Sequence, residues 1–563
     1  MLTQSALVLI LPLTLAFGQS APPPPLAETT KKATIEGVIV NETTKEPLRR
    51  AEISLHRSGK NGVRMGPDES AYSAVTDTSG KFRIENIEPG EYFLDHHKTG
   101  YVNGSSGFGS DVRLLKLGAG ESLTDLRYSL LPQAIVTGRV IDDEGEPVQG
   151  ATVLLMRYRY GRGSVLTLTP IGQAMTNDLG EYRIVNVHPG KYYLLQANIQ
   201  RMMLGARPSP SAPAGTPTTT LVSTYYPSTT EISQATRIEA RAGLALAGQD
   251  ITLRKEKVFK VSGKVLDAEG SPARQTFVVL RVEDGDLSYP NVGSWVDEKG
   301  NFTLNDTRPG QYRMIANMNG QNRQVAQTTV TVADSDVTNV ALQMLPGLEA
   351  KGVMVLEGAD KKDFDFSGFF LALEPVDASP FGGVGAEAKS DGTFTIPQIP
   401  PGRYMVRVHP NGGEGYVQSI QLAGEDVYGK EVDAANLAAG GLRVGVRLDS
   451  AKVAGTVEIP DDRKAYMHSP AVLLVPVDPR LRNSSQFSIA QLNQTNSFEL
   501  KNLRPGDYLA FAFEEYDYGS ISDPEVFNAT ESKATKVSLA RGESQELTLK
   551  LLPWPQQFAD RLQ

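Results

Sequence analysis

The sequence predicts an all-β protein built as a tandem array of about five seven-stranded Greek-key β-sandwiches. Three observations carry that expectation. A polar turn, an alternating strand, Pro-Gly and a tyrosine recur five times, with prolines at Pro89, Pro189, Pro309, Pro401 and Pro505. Every repeat opens on a glycine-centred apolar strand, such as "IEGVIV" from Ile35 or "VSGKVL" from Val261. Gly 53 and Pro 35 are high counts that suit short strands joined by many turns.

The intervals between the prolines are 100, 120, 92 and 104 residues, the size of a small sandwich domain rather than of a solenoid repeat. Within a repeat, the glycine-centred strand leads through a polar turn to a second strand, as in "GRVIDDEGEPVQGATVLL" from Gly138. Asp77-Thr78-Ser79-Gly80 then reads as an Asx-assisted tight turn opening a central hairpin. Phe82 and Ile84 alternate with Arg83 and Glu85, the period of a half-buried strand. Pro-Gly suits the centre of a type II turn, with φ fixed by proline and then positive at glycine. One residue later stand Tyr92, Tyr192, Tyr312, Tyr404 and Tyr508. Each is expected to pack inward with its hydroxyl on a nearby backbone group, as in a tyrosine corner. A last strand pair, such as "KVSLARGESQELTLKLLP" from Lys536, closes the unit.

The expected boundaries follow: 34–132, 133–256 with a long loop insertion, 257–346, 347–450 and 451–554, the last two degenerate, with a tail over 555–563. Ala6 to Phe17 is an apolar run of signal-peptide length, so residues 1–20 read as a secretory signal and 21–33 as a proline-rich linker. No later stretch approaches the ~18 apolar residues of a membrane helix. Cys is zero, which leaves no disulfide framework and no thiolate metal site. Export without cysteines fits a bacterial envelope, whether periplasm, cell surface or secreted. A net charge of -9 disfavours nucleic acid as a partner. The short proline-bearing linkers "LLPQA" and "MLPGLEA" predict a semi-rigid rod.

The pattern G-x-V-x-D-x-x-G-x-P-x-x-G-A-x-V-x-L, followed by D-x-x-G-x-[FY] and P-G-x-Y, resembles the carboxypeptidase regulatory-like domain. The second repeat carries it most fully, through Gly138, Val140, Asp142, Gly145, Pro147, Gly150, Ala151, Val153, Pro189, Gly190 and Tyr192. Its turn, Asp178 to Tyr182, reads as one residue shorter than the pattern. The resemblance implies a prealbumin-like, carbohydrate-binding-like sandwich found as an appendage to many proteins. The zinc catalytic domain that accompanies this module in metallocarboxypeptidases has no counterpart motif here.

Several residue groups bear on function. Asp95-His96-His97 has metal-ligand residue types, yet neighbours on a strand point to opposite faces. Asp77, Asp178, Asp297 and Asp391 offer too few oxygens for calcium and are explained as turn residues. Lys264 and Asn339 occupy strands where an adhesin-type Lys-Asn bond would form, without an identifiable buried acid. For a sugar, exposed aromatic rings are the platforms of choice. Tyr158 and Tyr160, Tyr225 and Tyr226 after the loop Arg207 to Thr220, and Tyr516 and Tyr518 are the candidates. Trp295 and Trp554 are too isolated to form a platform between them. The reading is therefore a non-catalytic exported binding protein without cofactor or metal, contacting a glycan or envelope protein. The alternative is a structural spacer or assembly scaffold with no small-molecule ligand.

Overall fold

In repeat 1 the alternating apolar positions form eight strands: β1 (Ala33–Asn41), β2 (Glu52–Arg57), β3 (Tyr72–Val75), β4 (Lys81–Ile87), β5 (Gly90–His97), β6 (Tyr101–Val102), β7 (Arg113–Leu117) and β8 (Ser122–Pro132). They build two sheets in the orders β4-β1-β8-β6 and β3-β2-β5-β7, with β1 and β8 parallel. The computed structural model describes residues 31–554 apart from 59–70, 104–112, 161–165, 198–217, 283–291, 319–322, 359–363, 377–382, 411–413, 461–469, 483–486 and 515–523. The expected signal segment and C-terminal tail lie outside the described residues, as does most of the linker.

The same arrangement recurs. The hydrophobic residues between the sheets gather into five separate principal cores, spanning residues 33–130, 134–253, 259–344, 350–446 and 451–549. The α-helices among the described residues, Ala434–Ala439 and Pro524–Thr530, are six and seven residues long. Repeats 2 and 5 add a second apolar cluster on the outer face of one sheet. In repeat 5 it holds Val526, Phe527 and Trp554 against Phe511 and Phe513, which explains why Ala471–Pro476 is buried on both faces.

The recurring stretch that looked like a hairpin is a pair of crossings between the two sheets. β3 pairs with β2 and β5 with β2, whereas β4 pairs with β1. The Asx turn therefore carries the chain from one sheet to the other, and Pro-Gly carries it back. Asp77 Oδ1 accepts from Ser79 N and Lys81 N, at 2.8 and 2.9 Å. In repeat 2 the equivalent residue is Asn177, which accepts from Leu179 N and Glu181 N. The turn there is full length with Asn in place of Asp, and Asp178 is its second residue.

At Pro-Gly the expected type II turn is not formed. Gly90, Gly190, Gly310, Gly402 and Gly506 have φ of 148–159°, far from the ~80° of that turn and in a region essentially reserved for glycine. The corner is fixed by the tyrosine instead. The hydroxyls of Tyr92, Tyr192, Tyr312, Tyr404 and Tyr508 donate to the carbonyl four residues back, at 2.6–2.9 Å. Three residues before each Pro, the chain bulges through Asn86, Asn186, Asp306, Gln398 or Asn502, with φ of 56–60°. The β1–β4 register slips at that place in every repeat. Asn and Asp tolerate this left-handed conformation best, and Gln398 is the departure.

Burial pushes the Tyr404 phenol up to about 12, with Arg323 opposing. A folded pKa above the unfolded value of about 10 stabilises the protein below that value. The contribution is then lost as pH rises through the folded pKa. Repeat 4 is therefore expected to lose stability between about pH 10 and about pH 12. Tyr404→Phe should flatten that window in thermal melts, and an unchanged pH dependence would contradict it.

The joints between repeats are short. β8 and the strand Ala134–Ile141 are separated by Gln133 alone. Arg254–Leu266, the first strand of repeat 3, pairs over residues 254–258 with Thr218–Val222 from the repeat 2 insertion. Repeats 1 and 5 also touch, so the two ends of the array lie side by side at one point rather than far apart. The Gln494 side-chain amide accepts from Lys116 N at 3.3 Å and donates to Lys116 O at 2.6 Å, on the outer side of β7.

Candidate functional site

The tyrosine candidates cluster around the repeat 2 insertion. Thr152–Tyr160 pairs with Leu166–Met175 on one side and Gly190–Ala197 on the other. Inward residues Val153, Leu155 and Leu194 join the main core. On the outer face Leu154, Met156, Leu168, Leu195, Ala197 and Tyr225 form the second cluster, with Ile232 and Ala235 packed against it. Tyr225 is only 5% exposed; its ring is used in packing, and a buried ring has no face to offer a sugar. Tyr226 is half-buried against the main core and precedes a cis bond to Pro227. Tyr158 is half-buried, edge-on to Tyr193 at 6.0 Å. These tyrosines therefore face different surroundings and do not form one platform. Tyr516 and Tyr518, and the side chain of Tyr160, lie outside the described residues.

The opposite sheet of repeat 2 carries an open groove of 660 Å³ lined by Thr137, Arg139, Asn177, Glu181, Tyr182 and Asp250, among others. Several of its polar groups are already paired with one another or with backbone. Arg139 meets Glu181 at 3.1 Å, and Asp250 accepts from Arg139 N at 2.9 Å. Hydrogen bonds from Asn177 and then Arg139 hold the Glu181 carboxyl below its usual range. A carboxylate lowered in this way is a weak proton acceptor.

The other candidates resolve by burial. His96 points into the core beside Tyr128, while the next residue, His97, is exposed. The described residues hold no group of three or more acidic or histidine side chains placed to bind a metal. Asp297 is held below its usual range by hydrogen bonds from the Asn301 side chain and backbone, and Asp391 by those of Thr393. Lys264 and Asn339 are both exposed, and among the described residues no Asp or Glu is buried. The adhesin-type cross-link lacks its acid.

What the sequence did not reveal is the role of the residue before Pro-Gly. In repeat 3 it is Arg308, whose side chain is 22% exposed. Its Nε donates to Glu256 at 2.6 Å, and its Nη2 donates to Glu231 at 2.8 Å and Thr230 Oγ1 at 3.0 Å. Thr230 Oγ1 donates in turn to Glu256 at 2.8 Å. Burial opposes the guanidinium charge, and the two carboxylates outweigh it and hold its pKa above the ordinary value. In repeat 5 the same position is Arg504, stacked over the Tyr428 ring at 4.6 Å and donating to Gln418 O at 3.2 Å. Both arginines reach back to the preceding repeat. The signal was present as Arg-Pro-Gly at these two places and Glu-, His- or Pro-Pro-Gly elsewhere.

Repeated sandwiches with braced joints define a modular all-β protein. The family model of the carboxypeptidase regulatory-like domain matches residues 34–120 and 260–344, so repeats 1 and 3 contain domains of that family. Repeat 2, whose motif residues carry the resemblance most fully, lies outside the matched segments; its insertion separates strands that are close in sequence in repeats 1 and 3. No curated protein matches the chain.

Among solved structures the chain is similar to BcpA, the major pilin subunit of Bacillus cereus, at 10% identity. That match covers 56% of this chain and 99% of that one, with a TM-score of 0.15. A streptococcal ancillary pilin matches at 10% identity over 56% of this chain and 100% of that one, with a TM-score of 0.17. GBS52, the minor pilin of Streptococcus agalactiae, matches at 14% over 40% and 96%, with a TM-score of 0.19. At these identities and scores the likenesses assign no function.

Proposed function

We propose that this protein is an exported, non-catalytic modular scaffold of five sandwich domains, one per principal core, that holds envelope components at fixed spacing. The observation that supports it most is the use of one repeated position, the residue before Pro-Gly, to brace two joints through Arg308 and Arg504. A protein whose task is only to carry independent modules has no need of half-buried charge at its linkers. Hydrogen bonds to charged groups contribute roughly 1.5–3 kcal/mol each when the partners are held in place.

Small-angle scattering and limited proteolysis of the exported chain test the reading. A narrow conformational distribution is expected for the natural protein. Arg308→Ala should broaden it and open a new cleavage site near residues 253–258 without unfolding repeats 2 and 3. Scattering that fits freely jointed beads for the natural protein would count against the scaffold, as would any substrate turnover. Fractionation of the producing cells, with the chain recovered outside the cytoplasm, is the matching expectation for export.

A further inference from the structure

Repeat 3 presents an outer sheet face unlike those of its neighbours. Thr276–Val282 pairs with Val292–Trp295 and with Gly310–Met318, which places Phe277, Val279 and Arg281 on the face away from the core. Trp295 stands directly opposite Phe277 on the edge strand, 53% exposed, its ring edge-on to the Phe277 ring at 5.2 Å. A Cβ at Gly293 would collide with the Phe277 ring, so that glycine lets the ring lie along the sheet. Four residues along the same strand, about 13 Å away at ~3.3 Å per residue, comes Arg281, directly opposite Arg313.

The two guanidiniums are the second observation. Like charges placed opposite one another across strands are destabilising. No carboxylate pairs with either among the described residues, and the Nε of Arg281 is buried without a hydrogen-bond partner. Burial lowers the Arg281 pKa with nothing to oppose it, the reverse of the compensated Arg308. The face thus runs from an exposed indole, over an apolar floor of Phe277 and Val279, to two cations that no carboxylate among the described residues pairs.

We propose that this face is a binding track for an acidic polysaccharide, with Trp295 stacking on a sugar ring and Arg281 and Arg313 receiving a uronate carboxylate further along the chain. A flat aromatic ring packs on the apolar face of a pyranose, and guanidinium is the donor best matched to carboxylate geometry. The length of the track calls for a few consecutive sugars rather than one. A polyphosphate has no apolar ring face for the exposed Trp295 indole to stack on, which sets it apart from a polysaccharide carrying the same kind of charge.

The test uses the whole exported chain with polygalacturonate, dextran and inorganic polyphosphate as probes. Trp554 is 4% exposed, so acrylamide quenching of tryptophan emission reports on Trp295. Polygalacturonate is expected to shield Trp295 from acrylamide and to retard the protein in affinity electrophoresis, more weakly as salt rises. Trp295→Ala and, separately, Arg313→Gln should each reduce the retardation at least tenfold. Both residues are exposed, so hydrogen exchange across repeat 3 should show that the fold is kept. Arg281→Gln should act in the same direction. Equal retardation by dextran would overturn the acidic specificity, and equal shielding by polyphosphate would overturn the carbohydrate assignment. No shielding, or retention in both Trp295→Ala and Arg313→Gln, would overturn the track itself. None of these outcomes bears on the braced joints, which scattering reads independently.

Discussion

Gly263→Ala is expected to unfold the third repeat selectively. The glycine-centred strand that opens each repeat lies beneath a carbonyl of the last strand, and at Gly263 that carbonyl belongs to Val340. An added methyl would overlap the Val340 oxygen and come within 2.9 Å of the Phe302 ring and 2.8 Å of the Val340 carbonyl carbon. The Val340 backbone on one side and the buried Phe302 ring on the other cannot step aside as the far end of a flexible side chain can. A cost of about 3 kcal/mol or more follows from overpacking of this kind. The turn glycine Gly270 supplies the contrast: its φ is +84° and nothing lies within 4 Å of its Cβ position. Gly270→Ala should therefore cost only ~1 kcal/mol through backbone strain. Hydrogen exchange read by mass spectrometry separates the two, because Gly263→Ala should strip protection from residues 254–346 and leave repeats 1 and 5 protected. Equal effects at the two sites would refute the packing argument.

Glu374→Gln is expected to destabilise repeat 4 by about 3 kcal/mol. Arg407 lies on the strand Arg403–Pro410 with its side chain 2% exposed, and its Nε meets Glu374 at 3.3 Å, with Glu374 itself 12% exposed. Burial holds the Arg407 pKa below its ordinary value and Glu374 partly offsets that shift. Removing the carboxylate leaves a buried cation without its countercharge, which costs far more than the pair contributes when intact. The paired replacement Glu374→Leu with Arg407→Leu should recover most of the loss, since an apolar pair of similar volume removes both desolvation costs. Calorimetry and exchange protection over residues 348–447 give the comparison. A double replacement as unstable as the single one would show that the ion pair does more than neutralise itself.

Much of the fold was legible because the signals were repeated. The strand alternation around Phe82 and Ile84, the glycine at the centre of the first strand and the Pro-Gly-x-Tyr corner recur, and the tyrosine hydroxyl bond is present in all five repeats. Periodicity states which residues face inward; it does not state which sheet a strand joins. That is why the passage from β3 to β4 to β5 read as a hairpin, although each turn changes sheet. Turn chemistry misled at Pro-Gly for a related reason. The dipeptide suits a type II turn in isolation, and the corner tyrosine imposes a wider glycine conformation.

The candidate sites were harder to see because exposure is a tertiary property. Tyr225 reads as a loop aromatic, and only the second apolar cluster of repeat 2 shows why it is buried. Trp295 reads as isolated, and only the pairing of its edge strand brings it onto Phe277. Arg308 and Arg504 carry no motif that a single repeat would reveal. Their meaning comes from which neighbour each one reaches.

The contact between Gln494 and Lys116 gives the protein a distinctive response to mechanical load. Tension applied between repeat 1 and repeat 5 falls first on two exposed hydrogen bonds, each worth only about 1 kcal/mol net. They yield long before any sandwich core. The chain can then lengthen only as far as the joints braced by Arg308 and Arg504 allow, with every repeat still folded, and shorten again when the tension is released. Extension of this kind is reversible slack rather than unfolding.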